Sequence, residues 1–282
     1  MLYGLYTRGK RPGGVNRSRG QPFFPRNYES DLMDNYELGY RSMFADGNGR
    51  LNATLYHMLW TDYQIELVDP SQTDCPAGTD PIPGVCGQPW QQVVANAGEA
   101  HITGLNVELD YAFNQNWTFG GNIEFIEAET DSSLDLNGDG EYNIVSGLRL
   151  PVTPEVKGSM WLDYIDPVDW FGGTEFFSRL QASYTGDSVS ILEPRSTEDS
   201  PNPQFNTASY TIADIRVGLR GRSWEVSLFL NNITDERAIY TINDGLMEWG
   251  MASQKDGRAH LQRAYTNRPR EFGLRYTQSW GG

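Results

Sequence analysis

The sequence predicts an all-β protein, an antiparallel up-and-down transmembrane β-barrel with a wall of about ten strands. Three observations predict it. Runs of apolar and polar residues alternate strictly along the whole 282-residue chain, the two-residue period of strands whose faces meet different media. The connections between runs alternate between tight turns and long stretches; long structureless loops are uncommon in compact soluble domains, whereas this asymmetry is the rule in outer-membrane barrels. Finally, one face of the runs carries Glu108, Asp110, Glu124, Arg179, Asp214, Arg216, Glu225 and Arg275. Burying that many ions in a dry core costs several kcal/mol each, so the face needs water.

Strands are expected near 1–8, 34–45, 50–66, 99–113, 116–129, 155–165, 174–186, 207–220, 223–232 and 263–280. In 105–113 the odd positions are Leu105, Val107, Leu109, Tyr111 and Phe113, while the even ones include Asn106, Glu108 and Asp110. Only 114–116 separates this run from 117–125, which predicts a hairpin. Residues 213–220 and 224–230 form a second such pair around Gly221–Ser223. The last run sets Phe272, Leu274, Tyr276 and Trp280 on one face. Turns near 46–49, 114–116 and 221–223 are tight, and 9–33, 67–98, 130–154, 187–206 and 233–262 are long. With short turns on the periplasmic side, the last strand runs inward.

Composition narrows the function classes. Twenty-two Lys and Arg against 37 Asp and Glu give a net charge of -15, which repels phosphate backbones and argues against nucleic acid as a partner. Apolar stretches are as short as Leu228–Leu230, which excludes membrane helices but not a barrel, where only every second residue must face lipid. Eight Trp, 15 Tyr and 30 Gly suit a β protein with interfacial girdles. They equally suit a soluble β-sandwich that binds carbohydrate or mediates adhesion, whose charged face would be its exterior. Loop asymmetry favours the barrel.

Met1 is followed directly by Leu2-Tyr3-Gly4-Leu5-Tyr6, without the features of a signal peptide, so the true N-terminus of an exported protein is expected upstream. Cys75 and Cys86 enclose a Pro/Gly-rich stretch that a disulfide would staple in an oxidising compartment. Asp135, Asn137, Asp139, Glu141 and Asn143 alternate around Gly140 as calcium-loop ligands do. Ser146 stands where such a loop has Glu, and an ordinary polar turn wants the same composition. The three histidines, His57, His101 and His260, have no chelating spacing, and no nucleophile elbow or paired-carboxylate motif occurs, so neither an enzyme nor a cofactor is expected. Arg8, Lys10 and Arg11 at the first long loop, with Trp90 and Trp249 in later ones, are candidate ligand-facing residues. A basic rim facing lipopolysaccharide phosphates is the other reading of the arginines and lysine.

Several segments resemble the C-terminal barrel of TonB-dependent receptors: Tyr6–Asn16, Asn35–Ser42, Asn96–Glu108, Asn231–Arg237 and Arg268–Leu274, in the family's order. The resemblance covers nearly all of 1–282. It implies an outer-membrane protein that imports a scarce small-molecule ligand, whether siderophore, other metal chelate, cobalamin or glycan. It also implies lipid around the barrel and a TonB energy-transducing complex acting through an N-terminal plug. The plug and about half of the family's strands lie outside this sequence, so a partial barrel is expected. Phe272, Gly273, Leu274, Tyr276 and Trp280 correspond to the terminal strand that the barrel-assembly machinery reads, although Gly281-Gly282 follow where the family ends on an aromatic.

Overall fold

The computed structural model describes residues 1–16, 26–68, 92–135, 142, 144–169, 172–190, 192, 206–243 and 263–280. One antiparallel ten-stranded sheet runs through them in chain order. Its strands are β1 (Leu2–Arg11), β2 (Asp31–Phe44), β3 (Gly49–Thr61), β4 (Ala100–Ala112), β5 (Trp117–Thr130), β6 (Val156–Val168), β7 (Thr174–Thr185), β8 (Tyr210–Arg220), β9 (Trp224–Asn231) and β10 (Glu271–Gln278). Each pairs with the next, and β1 and β10 are the two edges. The described strands make one wide wall, not the two sheets pressed face to face that a sandwich requires.

Local chemistry explains the tight turns. Ala45 and Asp46 adopt positive φ between β2 and β3. Asn114 Oδ1 accepts from the backbone N–H groups of Asn116 at 2.8 Å and Trp117 at 2.9 Å, closing the β4–β5 hairpin as an Asx turn. Gly172 and Gly173, at φ +70° and +85°, supply the left-handed backbone of a turn between β6 and β7. Opposite these turns, the long connections are more structured than their sequence suggests. Four carry two-stranded ribbons of their own: Gly14–Val15 with Asn27–Tyr28, Gln64–Val68 with Gln92–Asn96, Ser188–Val189 with Asn206–Thr207, and Ile239–Asn243 with Arg263–Thr266.

Two expected strands are therefore divided. The run 50–66 breaks after Thr61, where Asp62 takes φ +54°, and Gln64 begins a ribbon. The run 263–280 breaks after Thr266; Pro269, which has no N–H to donate, lies between the ribbon strand and β10.

Register shows how the wall leans. A single row of cross-strand partners runs from Phe44 through Gly49, Tyr111, Phe119, Leu162, Leu180, Ile215 and Leu230 to Phe272. It starts beside a tight turn on β2 and ends beside a long connection on β10. Measured from the turns, the row climbs about six residues over eight strand spacings, roughly 20 Å against 38 Å. The strands thus tilt by about 30°, near the 35–45° of membrane barrels.

The same register sorts the faces. One face is apolar and ends in aromatics beside the tight turns: Phe44 stacks on Tyr111 with ring centroids 5.9 Å apart, and Tyr164 lies 4.7 Å from Trp117 and 6.0 Å from Phe176. On β5 this face reads Trp117, Phe119, Gly121, Ile123 and Phe125 before turning acidic at Glu127 and Glu129. That apolar span is about 26 Å along the strand and about 23 Å along the normal at this tilt, close to the roughly 25 Å band of a membrane barrel. The tightly packed core lies elsewhere, at the long-connection end. There Ile65, Val93, Ala95, Ala97, Ala100, Ile126, Ala128, Ile144, Leu150 and Leu192 close on one another under Trp60 and Tyr63.

Candidate functional site

The second face of the wall is where chemistry concentrates. Glu108, Asp110, Glu124, Arg179, Asp214, Arg216, Glu225 and Arg275 all fall on it by register. Most are bonded to a neighbour one strand away. Arg50 Nε donates to Asp110 at 2.9 Å, Asn52 to Glu108 at 3.0 Å, and Glu124 accepts from Tyr56 at 2.7 Å and Lys157 at 3.0 Å. Arg179 grips Asp163 through Nε and Nη2 at 2.7 and 2.8 Å, a two-point contact that fixes the guanidinium plane. Glu225 receives Arg220 at 2.9 Å and also Arg216, whose Nε reaches Ser227 at 3.0 Å.

Glycines make room for this array. Five direct cross-strand pairs on this face set an aromatic ring against a glycine: Tyr3–Gly39, Tyr56–Gly104, Trp161–Gly120, Phe177–Gly218 and Phe229–Gly273. A Cβ at Gly104 would lie 2.3 Å from the Tyr56 ring, so the ring can lie flat only because the glycine has none. Arginines then stack on the flattened rings, Arg179 over Trp161 at 4.9 Å and Arg220 over Phe177 at 5.0 Å. The result is a smooth, charged wall rather than interdigitated side chains.

A recess interrupts it. Arg179, Gln181, Asp214, Arg216, Phe229, Asn231, Arg268, Glu271 and Arg275 line a pocket of about 390 Å³ on β7–β10. Asp214 is already satisfied by Gln181 at 3.0 Å and by the Asn232 N–H at 2.7 Å. Arg268 and Arg275 have no ion-pair partner within 4 Å among the described residues, so the recess presents guanidinium groups alongside the Glu271 carboxylate.

A family model described as TonB dependent receptor-like, beta-barrel, matches residues 1–233. The chain belongs to the TonB-dependent receptor family. It forms part of an outer-membrane β-barrel, so the apolar face is the lipid side and the charged face the lumen side. Among solved structures, the ferric yersiniabactin uptake receptor FyuA from Yersinia pestis superposes with a TM-score of 0.67 at 17% identity, over 99% of this chain and 35% of that receptor. The siderophore receptor PiuA from Acinetobacter baumannii gives 0.63 at 13% identity, over 98% and 33%. The copper transporter OprC gives 0.60 at 13% identity, over 99% and 37%. The chain thus spans about a third of the length of these receptors.

The expected ligand-facing residues do not share one face. Arg8 and Lys10 fall on the lipid side of β1 with Tyr6, and Arg8 holds Asp34 at 2.6 and 2.7 Å while Tyr6 donates to the same carboxylate at 2.6 Å. Arg11 is on the lumen side, paired with Asp31 and donating to the Gln64 carbonyl at 3.0 Å. Trp90 and Trp249 lie outside the described residues, as do Cys75, Cys86 and four of the five calcium-loop positions, Asn137, Asp139, Glu141 and Asn143. Asp135 follows the isolated bridge between Leu134 and Ile144. Phe272, Leu274 and Tyr276 project from the lipid side of edge strand β10, 87%, 65% and 61% exposed, with Gly273 between them under Phe229; Trp280 follows the strand and is equally bare at 87%. Sequence reasoning missed the glycine–aromatic pairs. Their signal is present, since each glycine interrupts the polar half of an alternating run, but only register reveals which ring it faces.

Proposed function

We propose that this chain supplies the C-terminal wall and outer loops of a receptor that imports a metal chelate across the outer membrane by TonB-dependent active transport. The observation that carries the reading is the sorting of charge by face: ion pairs and stacked arginines line the lumen side while aromatics and aliphatics meet lipid. The recess around Arg268 and Arg275 is the candidate anchor for an anionic group of the ligand, and Arg11 is the member of the basic trio on the same face. Energy would come from a TonB complex acting through a plug domain. The barrel-assembly machinery would read Phe272, Gly273, Leu274, Tyr276 and Trp280 on β10. A metal chelate is preferred over cobalamin or glycan because the similar structures include receptors named for ferric yersiniabactin, ferripyoverdine and copper.

The test is uptake of radiolabelled iron chelates by cells carrying the receptor, with and without a functional TonB. TonB-dependent accumulation that falls when Arg268 and Arg275 are both changed to Gln supports the proposal. Uptake indifferent to TonB, or confined to glycans, overturns it.

A further inference from the structure

The segment Asn231–Arg237 ties a knot between β8, the end of β9 and the approach to β10. Asn232 is its centre, 3% exposed and at φ +52°, a left-handed backbone that Asn tolerates better than most residues. Its carbonyl accepts from the Asp235 N–H at 2.9 Å, and its Oδ1 accepts from the Glu236 N–H at 2.9 Å. Its Nδ2 donates to the carbonyls of Glu236 at 3.0 Å and Arg268 at 3.1 Å, and its own N–H donates to Asp214 Oδ1 at 2.7 Å. Arg268 and Asp214 both line the recess, so one residue fastens two parts of its wall. The main chain beside Arg268 is held as firmly. Asn267 donates to the Glu236 carbonyl at 2.9 Å and accepts from the Ala238 N–H at 3.0 Å. On the other side Pro269 fixes its own φ, and Arg270 bonds Asp235 through its N–H at 3.3 Å and its guanidinium at 3.2 Å.

We infer that Asn232 is a positioning residue for the recess: it fixes the main chain that carries the Arg268 guanidinium, so that Arg268 and Arg275 converge on one anionic group. The inference rests on the reading of the recess as an anion anchor. A long side chain rooted in a fixed backbone has less freedom to lose when it grips an anion. Asn232 acts on charge as well. With one Asp214 oxygen bonded to the Asn232 N–H and the other to Gln181, that carboxylate is held in place and is not free to turn onto the guanidinium groups.

Inorganic phosphate is the probe, and the signal is the rate at which phenylglyoxal modifies Arg268 in the whole detergent-solubilised receptor, read by peptide mass. Phosphate should protect Arg268. Asn232→Gly keeps the left-handed backbone and removes the side-chain bonds; it should raise the half-protecting concentration about five-fold, the scale of immobilising one long side chain. Asn232→Asp, which keeps Oδ1 and loses the donor to the two carbonyls, should raise it likewise. In an Arg275→Gln background the glycine variant should matter less than about two-fold, because Arg268 then has no second guanidinium to converge with. Heat-modifiable gel mobility reports whether each variant is folded. Absence of protection in the native receptor overturns the anion reading and the inference together. Protection that the folded Asn232 variants leave unchanged overturns the inference alone. An equal loss in both backgrounds does the same, since it marks a general loosening of the knot.

Discussion

Val107 and Ile144 are both apolar and β-branched, yet different things cover them. Val107 sits on the lipid side between Ala53 and Ile123, in a face where Leu55 and Met160 stay 51% and 56% exposed within the chain itself. Ile144 is 0% exposed, enclosed by the cluster at the long-connection end. The wall takes its apolar burial from acyl chains, and the cluster takes it from its own side chains. Stability of the wall is thus a property of chain plus membrane, whereas the cluster's is a matter of fit.

The sharpest way to separate the two is a cavity in the cluster. Ile144→Ala should cost about 2–5 kcal/mol, since the enclosed site has no solvent or lipid to fill the space. The loss should be local: hydrogen exchange should accelerate at Leu134, Ile144 and Leu150 and leave the middle of β4 and β5 protected. Uniform acceleration through those strands would mean that cluster and wall are one cooperative unit. The converse probe is a charge in the wall. Val107→Arg should destabilise vesicle-refolded protein by about 2–4 kcal/mol in a urea titration, the cost of a cation near the bilayer midplane. Asn106→Arg, one residue away on the lumen side and cross-strand from Thr54 and Glu124, should stay within about 0.5 kcal/mol. Equal costs at both positions would break the assignment of faces.

The wall was legible in the sequence because a medium on each side imposes a period of two that no tertiary contact overrides. Face membership of Glu108, Asp214 and Arg275 followed from counting alone. The cluster was not legible, because Val93, Ala97, Ile144 and Leu192 come from connections with no period, and only folding brings them together. The site divides likewise. Alternation marked the lumen-side ions, but Arg8 and Arg11 differ by three residues and so point to opposite sides, which proximity in sequence conceals. The Tyr56–Gly104 pairing depends on register across the long connection between β3 and β4, which no local pattern sets.

That pairing gives a prediction of intermediate size. Gly104→Ala places a methyl against the Tyr56 ring and should swing it away from Glu124, costing about 1–2 kcal/mol in lost packing and a lost charged hydrogen bond. Tyr56→Phe keeps the ring and loses only the hydroxyl bond, so it should cost less. If the two substitutions cost the same, the glycine serves the backbone and not the ring.

The smallest effect is expected at the latch between Arg149 and Asp187, outside the strands. The hydrogen bond from Arg149 holds the Asp187 carboxyl below its ordinary pKa, with the guanidinium charge acting in the same direction. A group whose folded pKa is depressed stabilises the folded form above its unfolded pKa and loses that contribution as pH falls through the folded value. Neutral pH should therefore leave the latch closed, and acidification below the usual carboxylate range, about pH 4, should open it. Exchange protection at Val152, whose N–H bonds the Val189 carbonyl at 2.8 Å, is the local readout. Its protection should decline with acid in the native chain and show no such step in Asp187→Asn, where protection is already reduced at neutral pH. A step of equal size in both would place the titration elsewhere than at Asp187.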